Sequence, residues 1–432
     1  MAGPGLPCPS LPPGIDTLYA DSGTDGSVKT HQQHHDTVHT YVNKLDSTAL
    51  SGVNGQYLGY GAGNLLVPIA APIGSSGSSG IVRTPEQYGA VGNGIADDTT
   101  ALNNVIAACN AGDTIAIVAG KIYRHTASLS INKAGITIKG YGVIYGSAEA
   151  TSGVWISADN ITIDGVTFRV GPTTQRWQTI DQHKLTLNTS VSGAIVRNVI
   201  IDGSAGAGIF VYGATNYVIS DVIVRNTRAD AIHNTHGSTN GLIQRPIVRN
   251  PGDDGVAIVS YEDTVIPPCS NIHVQSPKLF ASTWGRGISV VGGQNIVFSD
   301  IYIWRSAAAA VYIACESSYT TFGVSNVWVM GGEIRNANTD TSVNHGAVLV
   351  NNSRAGFSIT DVYIEGLRIY DTRSTANRDV GVLQNAGTIS RIQLADIAIT
   401  AGTGSPYLGT ATLVNRTGWT QDGTPLTDSV MF

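Results

Sequence analysis

One five-residue pattern of apolar and small positions returns six times along the chain. The segments Ala207-Gly-Ile-Phe-Val211, Asp230-Ala-Ile-His-Asn234, Asp254-Gly-Val-Ala-Ile258, Arg286-Gly-Ile-Ser-Val290, Ala309-Ala-Val-Tyr-Ile313 and Gly346-Ala-Val-Leu-Val350 align without gaps. The second position is always Gly or Ala, the third is always Ile or Val, and the fifth breaks the β-branched rule only at Asn234. A second class of apolar strand lies between them and is announced by Asn: Asn216-Tyr-Val-Ile, Asn240-Gly-Leu-Ile, Asn271-Ile-His-Val, Asn295-Ile-Val-Phe and Asn326-Val-Trp-Val. The shortest repeat intervals, 207 to 230 and 230 to 254, are 23 and 24 residues. Longer intervals fit the same unit with loop insertions. A unit of this length with two or three short strands predicts a parallel β-solenoid, because a single coil cannot bury its inward row alone. Coils then stack about 4.8 Å apart, aliphatic on aliphatic. Each announcing Asn suits a tight turn with one residue in the left-handed region.

The pattern changes toward the N-terminus. Residues 81–110 predict a Gly-rich turn and a short capping helix near 97–110. Asp97 or Asp98 supplies the N-cap, and Leu102, Val105, Ile106 and Cys109 form one apolar face. Asp97 and Asp98 are adjacent carboxylates, but their place at a helix start gives them a structural use. Upstream, His31, His34, His35, Val38, Tyr41, Val42 and Leu45 recur at spacings of three and four, which predicts a short helix over 30–45 with a hint of a heptad. The stretch ending at Gly80 is a Gly/Ser linker. The expected organisation is an N-terminal anchor arm, helix and linker over 1–80, a solenoid over 81–415 and a C-terminal tail over 416–432.

Composition narrows the class. Charged residues make up 13% of the 432 residues, against roughly 25% in an average domain, and Gly accounts for 51, about 12% against roughly 7% in average usage. Coiled-coil, disordered and collagen-like chains are excluded. In a solenoid, like charges on adjacent coils face each other across one strand spacing, so charge should be scarce in stacked columns. The net charge of −6 and the absence of a basic stripe argue against nucleic acid. No apolar run is long enough for a membrane span. The opening MAGPGLPCPSLPPG lacks the basic and apolar regions of a secretory signal peptide. Cys8, Cys109, Cys269 and Cys315 form no CxxC pair, so free thiols are expected, and neither metal nor cofactor is implied.

Stacking turns the alignment into a spatial expectation. The first position runs Ala207, Asp230, Asp254, Arg286, Ala309, Gly346, so Asp230 and Asp254 should be neighbours on one groove within roughly 10 Å, with Asp253 beside them. Carboxylates this close push one pKa up, which is how a general acid is made near neutral pH. Paired carboxylates on a groove suit glycoside hydrolysis. The same residues also suit sugar binding without chemistry, or a structural ladder in which Arg286 neutralises Asp254. The outward fourth position adds His233, Ser289 and Tyr312. Arg176 and Trp177, in an insertion after Gly171, and Trp284 are candidate sugar contacts, because sugars stack on aromatic faces.

Residues from about 81 to 415 resemble the right-handed parallel β-helix superfamily of pectate-lyase-like proteins, and the middle is similar to polygalacturonases. Their Gly-Asp-Asp motif is complete as Gly252-Asp253-Asp254. Their Asn-Thr-Asp motif corresponds to Arg228-Ala229-Asp230, which keeps only the Asp. Their Gly-His-Gly motif appears as Gly285-Arg286-Gly287, and their Arg-Ile-Lys motif falls at Ala310-Val311-Tyr312, without either cation. The resemblance implies inverting hydrolysis by Asp230, Asp253 and Asp254; the missing cations bind galacturonate in that family, which argues against pectin. The segment Thr30-His-Gln-Gln-His-His-Asp-Thr-Val-His resembles N-terminal segments of phage minor tail proteins, and the arm before a β-helix resembles a tailspike anchor. That resemblance implies a virion tail location, attachment to other tail proteins through residues 1–80, a homotrimer, and a host surface glycan as partner. The alternatives are a non-catalytic glycan-binding or structural tail component, or a cellular polygalacturonase-like hydrolase.

Overall fold

The computed structural model describes residues 80–176, 179–262 and 266–432, and before them only the backbone of the strand fragments Asp21–Ser22, Val28–Lys29, Tyr57–Tyr60 and Leu66–Ile69. The expected helix over 30–45 and the anchor arm lie outside the described residues, as does Trp177.

From residue 81 onward the chain winds into a right-handed parallel β-helix. All six aligned segments enter one parallel sheet, here the front sheet, in the register the alignment requires: Ile209 pairs with Ile232, Ile232 with Val256, Val256 with Ile288, Ile288 with Val311, and Val311 with Val348. This sheet has 11 strands and extends the series at both ends, through Leu185–Leu187 and Val380–Gln384. A larger sheet, wrapped round the back of each coil, carries the Asn-announced strands. The inward rows of Ile and Val from both sheets form one continuous core. Each fully buried aliphatic contributes about 1.5–3 kcal/mol.

Two local devices explain the sequence pattern. Asn216, Asn240, Asn271, Asn295 and Asn326 all have φ between 53° and 56°. Their side chains also form a ladder along the axis: Asn240, Asn271, Asn295 and Asn326 each donate from Nδ2 to the Asn one coil earlier, at 3.1, 3.2, 3.0 and 2.9 Å. Asn therefore tolerates the left-handed turn and also stitches adjacent turns together. The second position is small because the coils approach closely there. A Cβ on Gly255 would lie 2.6 Å from the Gly287 carbonyl oxygen, and one on Gly287 would lie 2.6 Å from that of Ala310.

The capping helix spans Thr99–Ala107 and buries Ala101, Leu102, Val105 and Ile106. Asp98 occupies the N-cap position, but its carboxylate accepts the Val91 and Gly92 N–H groups at 2.7 and 3.1 Å. The capping bond falls to Asp97, which accepts the Thr99 N–H at 3.1 Å. Cys109, Cys269 and Cys315 are buried free thiols. Among the described residues, no helix is long and apolar enough to cross a membrane.

Charge is less scarce in the columns than expected. The second position, small in all six segments, holds Lys184 one coil before them and Asp379 one coil after, both fully buried. On the outer face of the back sheet a basic stripe appears that linear reading misses. Ladder partners run Arg124, Tyr145, Arg169, Asp202, Arg225, Arg249, Phe280, Trp304, Arg335, Tyr370. These residues are more than 20 positions apart in sequence, so only coil stacking assembles the stripe.

Candidate functional site

Asp230, Asp254 and Arg286 each stand just before a front-sheet strand, on three successive coils. One backbone device holds all three. Asp230 Oδ1 accepts the Asp254 N–H at 2.9 Å, and Asp254 Oδ1 accepts the Arg286 N–H at 2.7 Å. Each carboxylate thus fastens the start of the next coil. Asp253, one residue earlier, completes the cluster: the three acids place one oxygen each within 4.8 Å of one another, inside the roughly 10 Å that the stacked-column argument requires. The glycines around them are steric requirements. A Cβ on Gly252 would meet the Arg228 backbone at 2.4 Å, and one on Gly285 would meet Asp253 Oδ1 at 2.4 Å.

The acids have distinct environments. Asp254 is 4% exposed and uses both oxygens, the second accepting the Ser289 hydroxyl at 2.6 Å. Burial pushes its pKa up, but the Arg286 charge, the Ser289 bond and the Arg286 N–H outweigh burial and hold it below the usual Asp range. Asp253 is 7% exposed; its Oδ2 meets the Arg176 guanidinium, and its buried Oδ1 has no protein partner. Burial, then the negative charges of Asp254 and Asp230, push its pKa up to about 8 although Arg176 pulls the other way. Asp230 Oδ2 contacts His233 Nδ1. The His233 ring lies over Phe210 (5.3 Å between centroids), and Phe210 stacks on His183 (3.9 Å).

Two arginines flank the acids. Arg286 reaches Asp254 at 3.6 Å and Glu316 at 3.1 Å, and its guanidinium lies 4.4 Å over the Tyr312 ring. Tyr312 donates its hydroxyl to Glu316 at 2.8 Å, and His345 stacks on its ring. Arg176, which pairs with Asp253, lies 5.6 Å over Trp284, whose side chain is exposed. The strap that carries it is pinned at its base. Glu149 accepts the Thr174 and Gln175 N–H groups at 2.8 and 3.0 Å, and Arg228 donates to the Thr173 hydroxyl at 2.8 Å.

Of the residues singled out from sequence, the structure gathers Asp230, Asp253, Asp254, His233, Arg286, Tyr312, Trp284 and Arg176 around one acidic patch. Glu316, His345, Glu149, Arg228 and Tyr261, which lies within reach of the charges of Asp230, Glu316 and Asp253, were missed. His345 aligns with Asp253 and Gly285, so extending the five-residue alignment by one position would have found it. Glu316 and Tyr261 lie just past front-sheet strands and Glu149 opens the short 3-10 helix Glu149–Thr151, all outside the repeat, where no column marks them. Three carboxylates this close also form the donor set a hard divalent cation takes, and among the described residues they are the group with that geometry. Arg176 and Arg286 already bring positive charge to two of them.

No family model matches the chain, and no curated protein sequence matches it. Solved structures do. The hyperthermoactive exopolygalacturonase from Thermotoga maritima superposes with a TM-score of 0.57 at 14% identity, covering 81% of this chain and 93% of that one. The mannuronan C-5 epimerase AlgE6 A-module from Azotobacter vinelandii gives 0.55 at 16% identity, covering 80% and 100%. PfbA, a surface adhesin of Streptococcus pneumoniae, gives 0.51 at 13% identity, covering 79% and 90%. At such identities the likeness establishes the fold, the parallel β-helix, and function has to be argued from the site.

Proposed function

We propose that this chain is a tail-fibre or tailspike component of a phage virion whose β-helix binds and hydrolyses a host surface polysaccharide. The observation that carries the chemistry is the divergence of Asp253 and Asp254. One carboxyl is pushed up to about 8 and the other is held ionised, with oxygens of both inside a 4.8 Å cluster. Two acids driven apart in this way divide the work of glycoside hydrolysis. Asp253 keeps its proton at neutral pH and donates it to the leaving oxygen. Asp254 and Asp230 remain to activate water or to stabilise the charge that develops on the sugar. His233 positions Asp230, and Trp284 and Arg176 contact the glycan; Tyr312, expected on an outward position, is buried between Arg286 and His345 and supports Arg286 and Glu316 instead. The exopolygalacturonase and the mannuronan epimerase are polysaccharide-acting proteins of the same fold, which supports a glycan as ligand. The phage setting rests on the resemblance of residues 1–80 to tail-protein segments. In that setting the chain is a homotrimer, attached to other tail proteins through its N-terminal part and released by lysis.

The test is incubation with host cell-wall polysaccharide, followed by reducing-end detection, for the wild type and Asp254→Asn. Release by the wild type that falls at least 100-fold in the variant supports the reading. Equal release by both removes the acids from the chemistry.

A second reading has its own observation. Arg286, which stands where polygalacturonases have His, is tied to Asp254 and Glu316, and the site at Ala310-Val311-Tyr312 lacks both cations. In that reading the chain is a glycan-binding tail component without turnover, as suits the fold of a surface adhesin. Binding of the host glycan by both proteins, with release by neither, selects it.

A further inference from the structure

The basic stripe on the back sheet serves none of the chemistry above. It holds Arg124, Arg169, Arg225, Arg249 and Arg335 in one ladder column with two carboxylates, Asp97 and Asp202. The adjoining column adds Lys278, Tyr302, Glu333 and Arg368 in register. Across the two columns, seven cations face three carboxylates on a chain whose net charge is −6.

Ion pairing accounts for only part of this arrangement: Arg225 pairs with Asp202, and Arg335 and Arg368 pair with Glu333. Arg225 and Arg249 are direct ladder partners, both exposed, and like charges directly opposite destabilise a sheet. Arg225 is paired with Asp202 at 2.9 Å, but among the described residues Arg249 and Arg169 form no ion pair. They lie instead on aromatic faces: Arg169 is 4.8 Å over Tyr145 and Arg249 is 4.6 Å over Phe280. Trp304, flanked by Arg305 at 5.2 Å, and Tyr370, under Arg335 at 4.2 Å, continue the column. Cationic groups alternating with partly exposed aromatic rings are what a polymer presenting both acidic groups and apolar sugar faces would meet.

The spacing adds a constraint. Arg124, Arg169 and Arg225 lie two strands apart in turn. Two strand spacings are about 9.6 Å, close to the length of a disaccharide repeat. From this we infer that the back-sheet column is a second binding surface, separate from the acidic cluster, for a linear anionic polysaccharide with about one acidic group per disaccharide, lying along the solenoid axis. The surface holds the polymer; the acid cluster plays no part in it.

The test uses the full chain carrying Asp254→Asn, so that hydrolysis cannot remove the probe. Affinity electrophoresis is run against hyaluronate, neutral dextran and duplex DNA, at low and physiological salt. Hyaluronate should retard the protein and dextran should not, and retardation should weaken with salt. Adding Arg169→Glu and Arg249→Glu, neither of which breaks an ion pair, should cost at least tenfold in hyaluronate affinity while circular dichroism shows the β-helix still folded. No retardation by hyaluronate, or retardation indifferent to the charge reversals, overturns the proposal. Tighter binding of DNA than of hyaluronate also overturns it, in favour of a nucleic-acid surface. Because the Asp254→Asn background is inactive under the proposed function, failure here leaves that function standing, and failure there leaves this surface standing.

Discussion

The Asp254 backbone N–H donates to Oδ1 of Asp230 at 2.9 Å, so a candidate catalytic acid also closes the hydrogen bonding between two coils. The two duties can be separated. Asp230→Asn keeps an acceptor for that N–H and removes the charge; Asp230→Ala leaves a buried donor unpaired. An orphaned buried N–H costs about 1–3 kcal/mol. The expected outcome is loss of polysaccharide release in both variants, but a lowered melting temperature only in Asp230→Ala. If Asp230→Asn retains full release, the residue is a structural clamp.

Asp253 makes a prediction about pH. Its folded-state pKa is pushed up to about 8 by burial and by its acidic neighbours, with Arg176 opposing. As a general acid it must be protonated, so release should fall as pH rises through about 8. Arg176→Gln removes a charge that lowers this pKa, so the alkaline limb should move to higher pH. A limb that stays in place or moves down means that another group sets it. The same shift affects stability. A group whose folded pKa is raised contributes stability below its ordinary range, and that contribution is lost as pH rises through the folded pKa. The wild type should therefore melt at a lower temperature at pH 9 than at pH 6 by more than Asp253→Asn does.

The sequence made the front sheet legible because position is preserved from coil to coil. Ile209, Ile232, Val256, Ile288, Val311 and Val348 are ladder partners in the order the alignment requires. The turn residues were legible for the same reason. The acids could be placed because they sit at a repeat position. Glu316 and Tyr261 escaped because they lie outside the repeat, where register carries no information. The basic stripe escaped for a different reason. Its residues occupy ladder positions of the back sheet, whose strands were located only by their first Asn, so their outward columns were never aligned.

The Asn ladder predicts a graded cost. Asn271 donates to Asn240 at 3.2 Å and accepts from Asn295 at 3.0 Å, with φ of 56°. Asn271→Gly keeps the left-handed turn and loses both bonds, at about 1–2 kcal/mol. Asn271→Ala loses the bonds and adds the left-handed penalty, about 1 kcal/mol more. Chemical denaturation should rank wild type above Gly and Gly above Ala. If Ala equals Gly, the backbone at this turn relaxes out of the left-handed region.

Lys184 breaks the small second position and is fully buried. Its ammonium donates to the Ser152 carbonyl at 2.6 Å and meets His125 Nε2 at 3.2 Å, and among the described residues no carboxylate pairs with it. Burial lowers its pKa to about 7, and burial together with the Lys184 charge lowers that of His125 to about 3. Above the ordinary Lys range, folded and unfolded states both carry a neutral amine. As pH falls from there to about 7, the unfolded chain binds a proton that the folded one refuses, so stability falls; below about 7 the Lys184 contribution is flat. His125 adds a further loss as pH drops from its ordinary range toward about 3. Lys184→Met should remove the alkaline slope and raise stability at pH 7 by about 1–4 kcal/mol, as replacing buried charge with a well-packed apolar group often does. Melting temperatures of wild type and variant between pH 6 and pH 10 check this. The two curves should converge toward pH 10, whereas a constant offset across the range would mean that Lys184 does not change its protonation on folding.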